Sequence, residues 1–271
     1  MPITLSALMC HAPIVIPQIG QQMSRKCSNS TLAMRKICEK ITKINPEVVV
    51  VISPHSPRVD KDFSFYDRQT VTGNFDKFGH PEVTFSFSVD TDTCKKIVET
   101  SAALPISYDT ITMDHLLDHG AAVPLFFLDE AGWQGPIVVL GLAQTPSTKG
   151  NLALGELLKT VAAAKDTVII ASGDMSHRLT AEAPCGFHPQ AQSFDDYVHK
   201  RLAEQSYRQL LTIDEQLRLV AAEDVIDSLQ IALEASEFRT DGADVLSYEG
   251  PFGVGYLNAI LNQQNQGDGD A

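Results

Sequence analysis

Short apolar runs, each about the length of one strand and each closing on a turn, punctuate this chain, with amphipathic stretches between them. Residues 3–9 form the first run and close on Cys10-His11-Ala12-Pro13. Residues 48–52 are all β-branched, the pattern of a strand buried on both faces as in a parallel sheet, and they close on Ser53-Pro54-His55-Ser56-Pro57. Residues 137–140 and 167–171 repeat the pattern, the second leading into Ser172-Gly173-Asp174-Met175-Ser176-His177. Residues 83–89 alternate, with Val83, Phe85, Phe87 and Val89 on one side, which predicts a half-buried strand. A last strand over 245–249 runs into the glycine-rich segment 250–255.

Helical spacing occupies the intervals. Residues 30–43 place Leu32, Ile37 and Ile41 among charges, and Asn45-Pro46 stops them. Residues 151–164, 194–204, 214–220 and 225–233 also read as helices. Strands alternating with helices predict an α/β fold, with a largely parallel or mixed central sheet flanked by helices. With no internal repeat and no convincing linker, residues 1–261 read as one domain. Residues 262–271 read as a polar tail, either a frayed end or the start of a linker.

Composition narrows the partners. The chain has 271 residues and a net charge of −13, which argues against nucleic acid, whose binding rests on Lys and Arg neutralising phosphates. No basic run suggests a membrane surface, and no apolar stretch reaches the length of a span. The five cysteines are odd in number and scattered, without a C-x-x-C pair, so neither a disulfide framework nor a zinc knuckle is expected. A cytoplasmic protein is the expectation.

Candidate chemistry concentrates at strand ends. His11, His55 and His177 each follow the carboxyl end of an apolar run, the edge of an open α/β sheet where ligands bind. One such histidine alone is an ordinary surface or capping residue; three at the same kind of position point to a shared site. The flanking prolines Pro13, Pro54 and Pro57 stiffen the loops that would aim a ligand. His115 and His119 are spaced i, i+4 and would share one helical face; His119 adjoins Gly120 and an apolar run, whereas His115 fits a surface position. Glu249 sits in an apolar, glycine-rich stretch, either paired with a cation or facing water on a tight turn. Two histidines and one carboxylate, with positions left open, is a set that suits non-haem Fe(II).

Taken in order, His-Ala-Pro at His11, Ser-Pro-His at His55, Asp-His-Gly at His119, Gly-Asp-Met-Ser-His at His177 and Tyr-Glu-Gly-Pro-Phe-Gly-Val-Gly-Tyr at Glu249 resemble the class III extradiol dioxygenases of the LigB superfamily. The wording is closest to its AmmeMemoRadiSam system members. The resemblance covers most of the chain. It implies metal ligation by His11, His55 and Glu249, Fe(2+) as the metal (with Zn(2+) or another divalent ion as alternatives), His177 as acid–base catalyst and His119 as its assistant. It further implies a small aromatic substrate of catechol or aminophenol type, O2 as co-substrate, and a homo-oligomer or a small second subunit. The superfamily also holds the Memo proteins, whose metal ligation differs from a set with Glu in third place, so a metal-binding member without oxygenase chemistry is the alternative. Arg58 and Arg178, near His55 and His177, are candidates for reading a substrate carboxylate, with surface solvation as their ordinary role. His80, His188 and His199 read as surface residues.

Overall fold

Four of the apolar runs become the centre of one sheet. The computed structural model describes residues 3–112 and 116–264. Its strands are β1 (Ile3–Met9), β2 (Val48–Ser53), β3 (Phe63–Tyr66), β4 (Thr70–Phe75), β5 (His80–Ser88), β6 (Tyr108–Ile111), β7 (Ile137–Leu142), β8 (Thr167–Ser172), β9 (Asp244–Glu249) and β10 (Tyr256–Gln263). Its helices are α1 (Pro17–Gly20), α2 (Ser28–Ile44), α3 (Thr91–Ser101), α4 (His119–Glu130), α5 (Thr148–Ala162), α6 (Ala191–Ala203), α7 (Glu215–Ala221) and α8 (Ile226–Ala235).

Eight strands form the main sheet in the order β6-β3-β7-β2-β8-β1-β10-β9. The middle is parallel: β1 with β8, β8 with β2, and β2 with β7. β3 and β10 join antiparallel, so the sheet is mixed. Every residue of β2, β7 and β8 is buried, as strands covered on both faces must be. The chain passes from β1 through α2 to β2 in one direction across the sheet, and from β7 through α5 to β8 in the other. Right-handed crossovers of opposite direction put their helices on opposite faces. Accordingly α2 packs with α4, while α5 packs with α3 and α8. β8 and β1 are adjacent strands whose outgoing chains leave to opposite sides, and the crevice at their carboxyl ends is the topological switch point.

The periodic segments fall where their patterns predict, with ends shifted by a few residues. α1, α3, α4, β3, β4, β6 and β10 have no counterpart among the predicted elements. For α4 the reason is plain: Gly120 to Leu128 are all buried, so no polar face marks a period, and Pro124 lies inside the helix. β10 corrects the tail. It continues through Gln263, and Asn262 is buried at 1% exposure, so polarity alone misplaced these two residues. His115 and residues 265–271 lie outside the described residues.

β4 and β5 form a separate antiparallel hairpin, and α4 packs against β4. Its turn, Asp76–Phe78, closes on Gly79 at φ +81°, a left-handed conformation that favours glycine. Among the described residues no helix is long and apolar enough to cross a membrane. All five cysteines are free.

Candidate functional site

Two histidine rings and one carboxylate converge at the switch point. His11 follows β1 and His55 follows β2, and their Nε2 atoms are 3.1 Å apart. Asp224, in the turn between α7 and α8, places Oδ2 3.0 Å from Nε2 of His55 and 3.4 Å from Nε2 of His11. Two ligands held at about 2.1 Å from one ion lie roughly 3.0–3.4 Å apart when they subtend 90–110°. The triangle therefore has the dimensions of one face of a metal coordination shell.

The tautomer of His11 agrees. Pro124 has no N–H, so the carbonyl of Gly120, four residues earlier in α4, lacks its helical donor. Ser172 Oγ at the end of β8 donates to that carbonyl at 2.5 Å. Having spent its only proton, Ser172 Oγ accepts from Nδ1–H of His11 at 3.0 Å. In the neutral ring, the form that binds a metal, Nε2 of His11 is then the nitrogen with the lone pair, and it faces the triangle. Fixing a ligand histidine through its other nitrogen is the usual second layer of a metal site.

Asp224 is aimed by the loop after β8. The Asp174 N–H donates to Asp224 Oδ1 at 2.7 Å, and the Asp224 N–H donates back to the Asp174 carbonyl at 3.3 Å. Asp174 in turn accepts from the His11 N–H at 2.9 Å. Glu223, buried beside it, accepts from Arg218 at 2.6 Å and from the N–H groups of Val225 and Ile226 at 2.7 and 2.9 Å. Burial opposes a charge on His11, but Asp174, Asp224 and Asp118 outweigh it and raise its pKa to about 9. Burial likewise opposes the Asp224 carboxylate, yet His11 and His55 hold its pKa well below the ordinary value. The surroundings favour positive charge at this point, as a cation site requires. The donor set, two imidazoles and a carboxylate, fits a divalent ion.

His119 lies against this triangle. Its ring stacks on His55 with centroids 4.1 Å apart and meets His11 edge-on at 5.2 Å. Ligand atoms of His11, His55 and His119 all lie within 4.8 Å of one another, so these three could also hold an ion. His119 opens α4, and Asp118 caps the helix by accepting from the Ala121 N–H at 3.1 Å. The same carboxylate accepts from Ser53 Oγ at 2.5 Å and Ser56 Oγ at 2.7 Å, tying the loop of His55 to the helix of His119. Gly120 makes the approach feasible, since a Cβ there would stand 2.5 Å from Ser53 Oγ and 3.3 Å from His55 Cδ2. Burial, with the charges of His11 and His55, lowers the His119 pKa to about 3, leaving it a neutral imidazole.

His177 is held by the chain that carries Asp224. Its Nδ1–H donates to the Ala222 carbonyl at 2.8 Å, which leaves Nε2 as the atom that can take or give a proton. Ala222, two residues before Asp224, adopts φ +53°.

Glu249, expected beside His11 and His55, makes its hydrogen bonds to another group. It ends β9, an edge strand separated from β1 by β10. Its Oε1 accepts from both the N–H and the Oγ of Ser30, each at 2.7 Å, so the carboxylate caps the first turn of α2. Asp224 is the acid that strand-end reasoning misses, because it follows a helix. The signal available for it is the acidic pair Glu223-Asp224 between two helical segments. Arg58 and Arg178 donate to the carbonyls of Ala143 and Cys185.

A cavity of about 430 Å³ opens beside His55 and His119, with Tyr66, Phe78 and Leu117 in its walls. Its volume is within the usual range for a small-molecule site.

Comparison with known proteins agrees with this architecture. A protein of Clostridium acetobutylicum, CA_C1420, is 28% identical over 96% of this chain, and the chain spans 58% of that protein's length. The crystal structure of the uncharacterized protein JW3007 from Escherichia coli K12 superposes with a TM-score of 0.62 at 18% identity, covering 83% of this chain and 91% of that one, a likeness of fold. Residues 5–258 match the family described as the catalytic LigB subunit of aromatic ring-opening dioxygenase, and the chain belongs to that family.

Proposed function

We propose that this protein is an extradiol ring-cleaving dioxygenase, acting on a catechol- or aminophenol-type aromatic with a divalent metal, Fe(II) by preference. The observation that carries the reading is the triangle of His11 Nε2, His55 Nε2 and Asp224 Oδ2, with sides of 3.0–3.4 Å. Two histidines and one carboxylate leave room for a bidentate substrate and dioxygen. Iron, when bound, supplies the template on which the two reactants meet and the route for electrons between them.

The chain's own residues do the rest. His177, with Nδ1–H fixed on Ala222, presents Nε2 to receive a proton from a substrate hydroxyl. His119, kept neutral and stacked on His55, stands at the cavity wall as the group that contacts the substrate. Phe78 and Leu117 give the cavity an apolar lining suited to an aromatic ring.

The test is anaerobic loading with Fe(II), followed by oxygen uptake with a panel of catechols and aminophenols. Uptake that depends on one of them, lost in His177→Ala without loss of iron, supports the proposal. Protein shown to hold iron that consumes no oxygen with any of them overturns it. The third histidine beside the pair favours one other reading, a metal-binding member of a Memo/AmmeMemoRadiSam-type system without oxygenase chemistry. That reading predicts bound metal, no uptake, and dependence of metal affinity on His119.

A further inference from the structure

Tyr66 ends β3, and its ring stands in the wall of the cavity beside His55 and His119. It is 1% exposed, yet its hydroxyl finds no hydrogen-bond partner in the protein. A buried phenol O–H without a partner forfeits the bond it would make in water. Such groups are rare in native proteins and call for a specific reason.

The neighbours cannot supply the bond as they stand. Ser56 Oγ gives its proton to Asp118 Oδ2 at 2.7 Å and keeps a lone pair close enough to the phenol to oppose the rise in its pKa, but the two do not meet in hydrogen-bonding geometry. Asp118 already accepts from Ser53, Ser56 and the Ala121 N–H. Burial, and the Asp118 carboxylate nearby, push the Tyr66 pKa up, so the group is a neutral donor throughout the physiological range. The rest of the wall is suited to an aromatic guest. Phe78, 41% exposed at the turn of the β4–β5 hairpin, meets His119 edge-on at 5.6 Å. A largely apolar wall with a few polar groups, here the Tyr66 phenol with Asn74, Asp76 and Lys77, is the usual composition of a site that orients a small ligand.

The geometry points to Tyr66 as a substrate-contacting residue, its hydroxyl donating a hydrogen bond to an oxygen of the aromatic bound between Phe78 and the histidines. This assignment rests on the ring-cleavage reading above and adds to it a residue that orients the substrate.

The experiment uses the metal-loaded protein, 4-nitrocatechol as a chromophoric probe, and Tyr66→Phe. Wild type is expected to shift the absorbance of 4-nitrocatechol on binding. Y66F is expected to bind it about five- to twentyfold more weakly, the size of one hydrogen bond to a polar or charged acceptor. Metal affinity should be unchanged, and the melting temperature unchanged or higher, because the variant removes an unsatisfied buried group. Equal affinity in wild type and Y66F overturns the assignment and leaves the ring-cleavage reading standing. A fall in melting temperature with equal affinity overturns it in favour of a structural bond to Ser56. No binding by metal-loaded wild type overturns both readings.

Discussion

Replacing Asp224 by Asn, with Glu249→Gln as its counterpart, separates the two carboxylates by consequence. The D224N side chain keeps the volume of the original and can still accept the Asp174 N–H on Oδ1, a bond of 2.7 Å. It loses the charge on the atom that lies 3.0 and 3.4 Å from the two Nε2 atoms. Structural zinc held by four ligands has an apparent binding free energy of about 10–16 kcal/mol, or roughly 2.5–4 kcal/mol per ligand. Losing one anionic ligand of three should therefore weaken metal binding by about two to three orders of magnitude. E249Q keeps an acceptor for Ser30 and loses a charge at the amino end of α2, an effect of about 0.5–1 kcal/mol on stability, with metal affinity unchanged. The assay is competition against a chromophoric chelator with Zn(II) or Fe(II), alongside thermal melts of the metal-free proteins. If D224N binds as tightly as wild type, or if E249Q is the variant that loses metal, the triangle is not the metal site.

Other perturbations report on the supports of the site. Ser172→Ala leaves the Nδ1–H of His11 and the Gly120 carbonyl without their partner; metal affinity measured by the same competition should fall about 10- to 100-fold, and unchanged affinity would remove Ser172 from the argument. Gly120→Ala would stabilise an ordinary helix by about 1 kcal/mol, but its Cβ meets Ser53 Oγ at 2.5 Å and Asp118 Oδ1 at 3.0 Å; denaturant titration should show a net loss of about 1–2 kcal/mol from overpacking. Asp195, fully buried, accepts from the Ser176 N–H at 2.8 Å and from Tyr248 at 2.7 Å, and burial raises its pKa from 3.8 to about 7. The folded protein thus keeps a proton that the unfolded chain releases near 3.8, so this group's contribution is full below pH 3.8 and is lost as pH rises to about 7. Asp195→Asn should flatten that limb of the stability–pH curve and stabilise the protein above pH 7 by up to about 4 kcal/mol, and an unaltered curve from pH 4 to 8 would show that Asp195 does not titrate this way.

Sequence alone determines the α/β architecture and two of the converging groups. Runs such as residues 48–52 carry their own signal, because a strand covered on both faces must be apolar throughout, and the carboxyl end of such a strand is a defined place. His11, His55 and His177 are legible for that reason. The third group of the candidate metal site is not. Asp224 follows α7, and it reaches the crevice only because Ala222 turns the chain at positive φ and the backbone of Asp174 pairs with that of Asp224. Glu249 shows the reverse: its apolar, glycine-rich setting suggests a buried charge in need of a cation, and the fold supplies the amino end of α2 instead. A carboxylate can be neutralised by a cation or by a helix terminus, and local sequence does not distinguish them. Only the order of the strands, with β10 between β9 and β1, decides which of the two each acid meets.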